Sequence, residues 1–508
     1  MGVTSIAPSM YDTLIIGAGM SGLAAGIRLA YYDQRVCILE RHTTIGGLNS
    51  FYRLNGRDFD VGLHAVTNFS PKGAKRGPLA RLLRQLRFRW EDFALAPQVG
   101  SAIVFPGVTL EFDNDFERFE AAVARAFPGQ IDGFRRLVGQ IADYDDLELE
   151  SAGRSARVAV APCIADPLLA EMLLCPLMFY GNAREHDMEW GQFCILFRSI
   201  YMEGLARPWA GIRLILKNLV RKYKSLGGEL RLRSGVSRLV VENDQVTKVV
   251  LDDGTELEAR RVLSSAGWVE TMRLAAPTVA CDPASGGRKP PDDSAADGCA
   301  ELSGGLRPPL AKGPLAERPA GRLSFFETIS LLDTQPSRIG CDRTTVFFNT
   351  AERFHWERPD DLVDARSGVI CSPNNFLYEE PLAEGCLRVT CLANYDRWHE
   401  LPEADYRRQK SRWYDEVVDT ATRFVPDFRS HVVATDTFTP TTICRFTGHE
   451  NGAVYGAPCK QYDGTTHLKN LFVCGTDQGL VGIIGAIVSG ITMANRHLLN
   501  THESVGPS

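Results

Sequence analysis

Residues 11–40 read YDTLIIGAGMSGLAAGIRLAYYDQRVCILE, and this stretch decides the fold. Tyr11 to Ile16 is a short apolar run that reads as a buried strand. Gly17-Ala18-Gly19-Met20-Ser21-Gly22 follows, a G-x-G-x-x-G turn. Ser21 to Tyr32 then reads as a helix with small residues on one side, and Arg35 to Glu40 as a second buried strand. Strand, turn, helix, strand is one βαβ unit, and its crossover implies parallel pairing. The three glycines have separate tasks. Gly17 permits the tight turn, Gly19 lets the backbone approach a pyrophosphate, and Gly22 allows close packing of helix on strand. The helix N-terminus faces the anion. Glu40 ends the second strand about twenty residues after the first glycine, where a carboxylate accepts hydrogen bonds from ribose hydroxyls. The unit therefore reads as a dinucleotide-binding domain.

Outward from this unit, a second glycine pair, Gly46-Gly47-Leu48-Asn-Ser50, follows the acid within ten residues. An NAD-binding domain has no use for it there. At the far end stands Asn470-Leu-Phe-Val-Cys-Gly475-Thr-Asp477, then Gly479 and Gly482-Ile483-Ile-Gly485-Ala486. These segments resemble the glycine motifs of FAD enzymes in the amine oxidase and phytoene desaturase superfamily. Val262-Leu-Ser-Ser-Ala266-Gly267 resembles the strand that closes the FAD domain there. Phe59-Asp-Val-Gly-Leu-His64, Thr439-Pro440, Arg445 and Tyr455-Gly456 resemble the phytoene desaturase, carotenoid isomerase and retinol saturase branch.

The resemblance implies non-covalent FAD, since Cys474 sits within the strand itself. It implies that Gly17, Ala18, Gly19, Met20, Ser21 and Gly22 hold the pyrophosphate, with Glu40 and Arg41 at the ribose. Gly46, Gly47 and Leu48 would run beside the flavin and its phosphates, and Val236 would offer a backbone contact to adenine. Gly475 and Asp477 would meet the ribityl chain and pyrophosphate. Gly482 and Ile483 would open a helix whose N-terminus faces the flavin ring, which is anionic when reduced. His64 is the one catalytic candidate, a polar group near flavin and substrate, against a structural histidine as the alternative. Arg207-Pro-Trp209-Ala-Gly211 either caps the flavin pocket or is an ordinary helix start with Pro near its first position.

The expected fold is α/β: a Rossmann-like FAD domain of the glutathione reductase type, with a discontinuous α+β substrate domain carrying a mainly antiparallel sheet. Residues 1–70, 201–275 and 431–508 form the first, and 71–200 and 276–430 the second. From Pro71 to Ile200 the texture is helical. Pro78 to Leu86 and Phe116 to Phe127 have apolar residues at helical spacing, and Leu168 to Tyr180 is unusually apolar. That last stretch reads as a core helix, with a membrane-dipping segment as the alternative. A helix from Gly211 ends in Gly227-Gly228, and strands follow to Leu257. Residues 281–321, rich in Pro, Gly, Ala and Ser, read as a flexible insertion. Strands resume at Leu323 to Ile329, Thr344 to Phe348, Val369 to Cys371 and Leu387 to Leu392.

The bulk numbers fit a large soluble-type chain. It has 508 residues, 44% hydrophobic and 23% charged, so there is material for several domain-sized units. Net charge is −6 with both signs interspersed, which speaks against a nucleic-acid partner. Thirteen cysteines without C-x-x-C or zinc spacing read as free thiols in a reducing compartment, and no metal site is expected. The first ten residues lack a signal-peptide pattern, and no stretch reaches the length of a membrane span. A cytoplasmic protein is expected, with peripheral membrane contact and oligomeric state left open.

The leading functional expectation is desaturation of a long isoprenoid or carotenoid-like polyene, with hydride passing to the flavin. Cis–trans isomerisation, reduction of a polyene bond and terminal-methyl oxidation share the fold. An amine oxidase fits the branch less well. A flavin-free prenyl-binding module of the Rab GDP-dissociation inhibitor type is the non-enzyme alternative, although such proteins lack the full glycine fingerprint.

Overall fold

The computed structural model describes residues 10–62, 65–145, 153–276 and 318–499. His64 and residues 281–317 of the expected insertion lie outside the described residues.

Strand β1 (Tyr11–Ile16), helix α1 (Met20–Ala30) and strand β2 (Val36–Leu39) form the expected unit, with β1 and β2 parallel. Three more strands complete a five-stranded sheet in the order 471–473, 259–264, β1, β2, 229–231. Every pairing in it is parallel. Parallel sheets need cover on both faces. On one side lie α1, the helix Ile212–Ser225 and the final helix Gly482–Met493, joined through Leu23, Ile27, Ile215, Leu219, Ile484 and Ile487. Each of those side chains is at or near full burial, at roughly 1.5–3 kcal/mol apiece. On the other side a three-stranded antiparallel meander, 236–242, 245–251 and 256–257, covers the sheet with Leu239, Val249 and Leu251. Parallel sheet plus meander is the glutathione reductase type of dinucleotide domain that the sequence implies.

The second sheet has seven strands, in the order 432–438, 324–332, 385–393, 363–371, 345–349, 101–105, 108–112. All its pairings are antiparallel except that of 345–349 with 101–105, so it is mainly antiparallel, as expected. Two of its strands correct the helical reading of residues 71–200. Ser101–Phe105 and Val108–Phe112 form a hairpin around Pro106-Gly107, with Gly107 at φ 77°. Ile103, Phe105, Leu110 and Phe112 share one face with Phe347 and Phe325, and helices 116–126, 131–142, 167–181 and 190–197 pack on that face. The opposite face, with Phe348, Ile370 and Val389, is covered by the long helix Glu403–Ala421.

Helix Pro167–Gly181 is buried along nearly its whole length, with Leu173, Cys175 and Leu177 at 0% exposure. It is therefore a core helix, and the membrane-dipping alternative falls away. Among the described residues no helix is long and apolar enough to cross a membrane.

Candidate functional site

The glycine turn behaves locally as its spacing demands. Gly17 sits at φ 95°, a conformation that only glycine adopts without strain. A Cβ on Gly22 would overlap the Gly17 carbonyl oxygen, so the helix can approach the strand only because that atom is missing. Gly19 differs from both. It is the N-cap of α1 with φ −73°, and a Cβ there would meet nothing within 4 Å. No side chain caps α1, and no acidic residue lies in its first turn. The first N–H groups of the helix, with the positive end of its dipole, therefore face open space.

The second glycine pair closes one side of that space. Gly46 donates its N–H to the Ala18 carbonyl at 3.0 Å, and Gly19 and Gly46 form a parallel bridge. Gly46 and Gly47 have φ 111° and 56°. Leu48 lies in the short helical turn Gly47–Asn49, and a Cβ on Gly62 would overlap its carbonyl. The F-D-x-G segment thus packs against the second glycine motif. His64, which follows this segment, lies outside the described residues.

At the other end of the turn, the buried Glu40 carboxylate accepts from the backbone N–H of Ala18 at 2.9 Å and of His42 at 2.9 Å. The acid is thereby fixed between the first turn and its own strand end. Ser234 donates its N–H to the Glu40 carbonyl and Arg233 to that of His42, which brings Val236 to the same edge. A Cβ on Gly235 would lie 3.2 Å from Arg41 Cβ. Glu40, Arg41 and Val236 are therefore neighbours despite a separation of nearly two hundred positions. If Glu40 holds the ribose, Glu40→Ala should weaken dinucleotide affinity by about 1.5–3 kcal/mol, the range for hydrogen bonds to a charged group. Titration of the stripped protein with FAD checks this, and an unchanged affinity would place the ribose elsewhere.

The C-terminal motif meets the first one directly. Gly475, at φ 88°, donates its N–H to Ser489 Oγ, and a Cβ there would lie 3.0 Å from Ser21 Oγ. A Cβ on Gly490 would overlap the Ser21 carbonyl, so α1 and the final helix touch backbone to backbone. Met20 and Ile483 both lie in the apolar cluster between them. Asp477 is buried and accepts from the N–H groups of Trp268 at 2.5 Å and Ala457 at 2.6 Å. Its carboxylate thus ties the turn to the start of helix Trp268–Ala275. The final helix starts at Gly482, which is exposed, with φ 74°, no side-chain cap and no acid in its first turn. It offers a second uncapped N-terminus, and a Cβ on Gly482 would lie 3.6 Å from Thr67 Oγ1.

Three buried cations lie near these motifs, of which only Arg207 stood in a segment the sequence singled out. Arg207 donates to Asp60 Oδ2 at 2.6 Å, both side chains being almost fully buried. The helix-start reading of the Arg207 segment needs correction: Ala206–Pro208 is a short strand paired with 95–97, and the next helix begins only at Ile212. Arg388 pairs with Glu327 inside the second sheet and donates to the carbonyls of Asp60 and Val61. Lys460 lies 3.9 Å from Asp477. The Asp60 and Arg207 positions are the legible ones in hindsight, a lone acid and a lone arginine each flanked by apolar residues.

Beyond the final helix start, the site adjoins the large apolar core. A Cβ on Gly181 would overlap the Val481 side chain, which joins helix 167–181 to the head of the final helix. Phe179 stands edge-on to Trp356 with ring centres 4.9 Å apart, and Tyr455 edge-on to Phe325 at 5.9 Å. The glycine motifs and an aromatic core therefore share a boundary.

Comparison with known proteins agrees with this architecture. Residues 15–86 match the family model of an NAD(P)-binding Rossmann-like domain. A prolycopene isomerase of Arabidopsis thaliana is 24% identical over 52% of this chain and 49% of its own length. A lycopene-forming phytoene desaturase of Pseudescherichia vulneris is 25% identical over 52% of this chain and 57% of its own. The chain thus spans about half the length of these two relatives. An all-trans-retinol 13,14-reductase of Danio rerio is 22% identical over 98% of this chain and 88% of its own length. Among solved structures, an oxidoreductase of Methanosarcina mazei superposes with a TM-score of 0.63 at 14% identity, over 95% of this chain and 99% of that one. A putrescine oxidase with bound putrescine gives 0.58 at 15%, over 96% and 98%. At such identity these structures bear on the fold alone. The expected resemblance is borne out: by fold the chain is a Rossmann-type α/β protein, and by sequence a homologue of phytoene desaturases, prolycopene isomerases and retinol reductase.

Proposed function

We propose that the chain is an oxidoreductase that holds FAD without a covalent bond and acts on a long isoprenoid or carotenoid-like polyene. The observation that carries the reading is the uncapped head of α1, open at Gly19 and flanked by the second and third glycine motifs. That donor set fits a pyrophosphate, and the extra glycine motifs fit a flavin dinucleotide. Non-covalent attachment is supported by Cys474, a buried thiol that burial pushes up to about 12 and so keeps from being a nucleophile. The names of the relatives support the substrate class.

In this reading the flavin accepts a hydride equivalent, chemistry that belongs to the cofactor. The chain's own residues bind and orient. Gly19 and the head of α1 hold the pyrophosphate, and Glu40, with Arg41 and Val236 beside it, takes the ribose and adenine end. Gly46, Gly47, Leu48, Gly475 and Asp477 line the path between, and the uncapped head of the final helix at Gly482 and Ile483 supplies positive potential at the ring. The aromatic core around Phe179, Phe325 and Trp356 excludes water and receives apolar chain, at about 25 cal/mol per Å² buried. His64 is proposed as a proton-handling group.

Heat should release a yellow cofactor identifiable as FAD. The anaerobic protein should bleach with linear C30 or C40 polyenes and not with amines. Bleaching by amines alone overturns the reading, as does a colourless protein that takes up no FAD. Reduction of a polyene bond is a second reading, favoured by the retinol reductase match along nearly the whole chain. It requires that the chemically reduced protein, mixed with a polyene, yields a product with one double bond fewer.

A further inference from the structure

We propose that Lys460 sets the reduction potential of the bound flavin, by holding a positive charge against the turn that begins at Gly475. The inference rests on the reading that the dinucleotide is FAD.

The Lys460 side chain is 2% exposed. Its Nζ donates to the Tyr455 carbonyl, and its nearest carboxylate oxygen, on Asp477, stands at 3.9 Å, beyond hydrogen-bond range. Asp477 already serves the N–H groups of Trp268 and Ala457. Glu189 is taken up by the Tyr462 hydroxyl and by the Gly153 N–H at 2.6 Å, with Arg184 at 3.7 Å. The ammonium is therefore buried, hydrogen-bonded to a carbonyl, and in a loose 3.9 Å ion pair with Asp477 that no hydrogen bond closes. Burying a charge that way costs several kcal/mol, which an apolar residue of the same length would avoid.

The position gives the charge a use. Gln461 donates its N–H to the Asp477 carbonyl at 2.7 Å, and a Cβ on Gly479 would lie 3.7 Å from Lys460 Cβ. Residues 460–462 therefore form the floor beneath the turn 475–479. Two-electron reduction by a hydride equivalent adds two electrons and one proton to a neutral flavin and leaves one negative charge. The hydride leaves a substrate C–H bond, and the substrate's adjacent carbon loses a proton when the double bond forms. A fixed cation in a low-dielectric floor favours the charged product. Burial lowers the pKa of Lys460, Asp477 pulls it back up, and Arg184 lowers it further. The titratable groups facing it are Asp477, Arg184, Glu189, Cys459 and His449.

The test is a potentiometric titration of the flavin-loaded full chain against a reference dye. Lys460→Met should disfavour the reduced form at least tenfold, which is about 30 mV for a two-electron couple. Lys460→Arg should stay close to the parent. A Met variant that keeps its flavin with an unshifted potential overturns the proposal. If the Met variant does not hold flavin, the pH dependence of the potential decides between parent and Arg variant. In the parent the plot should steepen where the ammonium begins to lose its proton. In the Arg variant, charged throughout, that break should be absent. The same break in both overturns the proposal. A parent that binds no flavin at all refutes the FAD reading itself, a separate result.

Discussion

Replacing Gly19 by valine should yield a folded protein that binds no dinucleotide. The new side chain projects into the space in front of α1, where a Cβ meets no protein atom within 4 Å, so the cofactor-free fold has nothing to lose. On the proposed reading, a pyrophosphate would need that space to reach the first N–H groups of the helix and would be shut out. Gly22 gives the opposite result. Its Cβ would overlap the Gly17 carbonyl, and Ile15 Cγ2 lies 3.3 Å away, so even Gly22→Ala must push α1 off the sheet. Overpacking of that kind costs about 1–3 kcal/mol in the stripped protein. The two variants separate binding from folding: circular dichroism and urea midpoints of the stripped forms, with FAD titration of each. A Gly19→Val protein with normal flavin absorbance would show that the phosphates lie elsewhere. One that unfolds would show that the open space is needed by the protein itself.

What the sequence disclosed follows the range of the interactions involved. The βαβ unit is local: strand, turn and helix lie within thirty residues, and Gly22 answers to Gly17 in the same turn. The helix from Ile212 was readable for the same reason, since it closes on Gly227 at φ 81°, the residue type its last turn requires. The hairpin 101–112 carried a fair local signal, alternating residues around Pro106-Gly107, but helical neighbours on both sides obscured it. Its parallel pairing with 345–349 has no local signal, because the partners are more than two hundred positions apart. The site divides likewise. Glycine motifs mark the backbone that a phosphate approaches, and the structure brings all three together through Ala18, Ser21 and Gly46. A buried charge such as Lys460 announces nothing in sequence. A lone arginine or lysine looks the same whether it is solvated or buried.

Breaking the Asp60–Arg207 pair should cost more stability than overpacking at Gly22. Arg207 Nη2 donates to Asp60 Oδ2 at 2.6 Å, and its Nη1 reaches the Tyr378 hydroxyl at 3.2 Å. Burial works against the arginine's charge, but Tyr378 and Asp60 outweigh it and hold the pKa above its ordinary value. The guanidinium is therefore charged at every working pH. The Asp60 main-chain carbonyl also accepts from Arg388, so this one residue joins strand Arg57–Asp60 to strand 206–208 and to the second sheet. Gly211, at φ 70°, makes room for the carboxylate, since a Cβ there would overlap Asp60 Oδ2. Arg207→Met strands the Asp60 carboxylate in the interior, at a cost of about 3–5 kcal/mol. Asp60→Leu strands the guanidinium at a similar cost. Together they remove both charges from a buried site, and an apolar pair of comparable volume there is close to neutral, so the double variant should recover most of the loss. A coupling of that sign between residues in contact is what a double-mutant cycle measures, here from urea midpoints of the four proteins. Single variants within about 1 kcal/mol of the parent would mean that water reaches the pair. Equal, additive losses would mean that Asp60 and Arg207 each act through other partners, Arg388 or Tyr378, and not through each other.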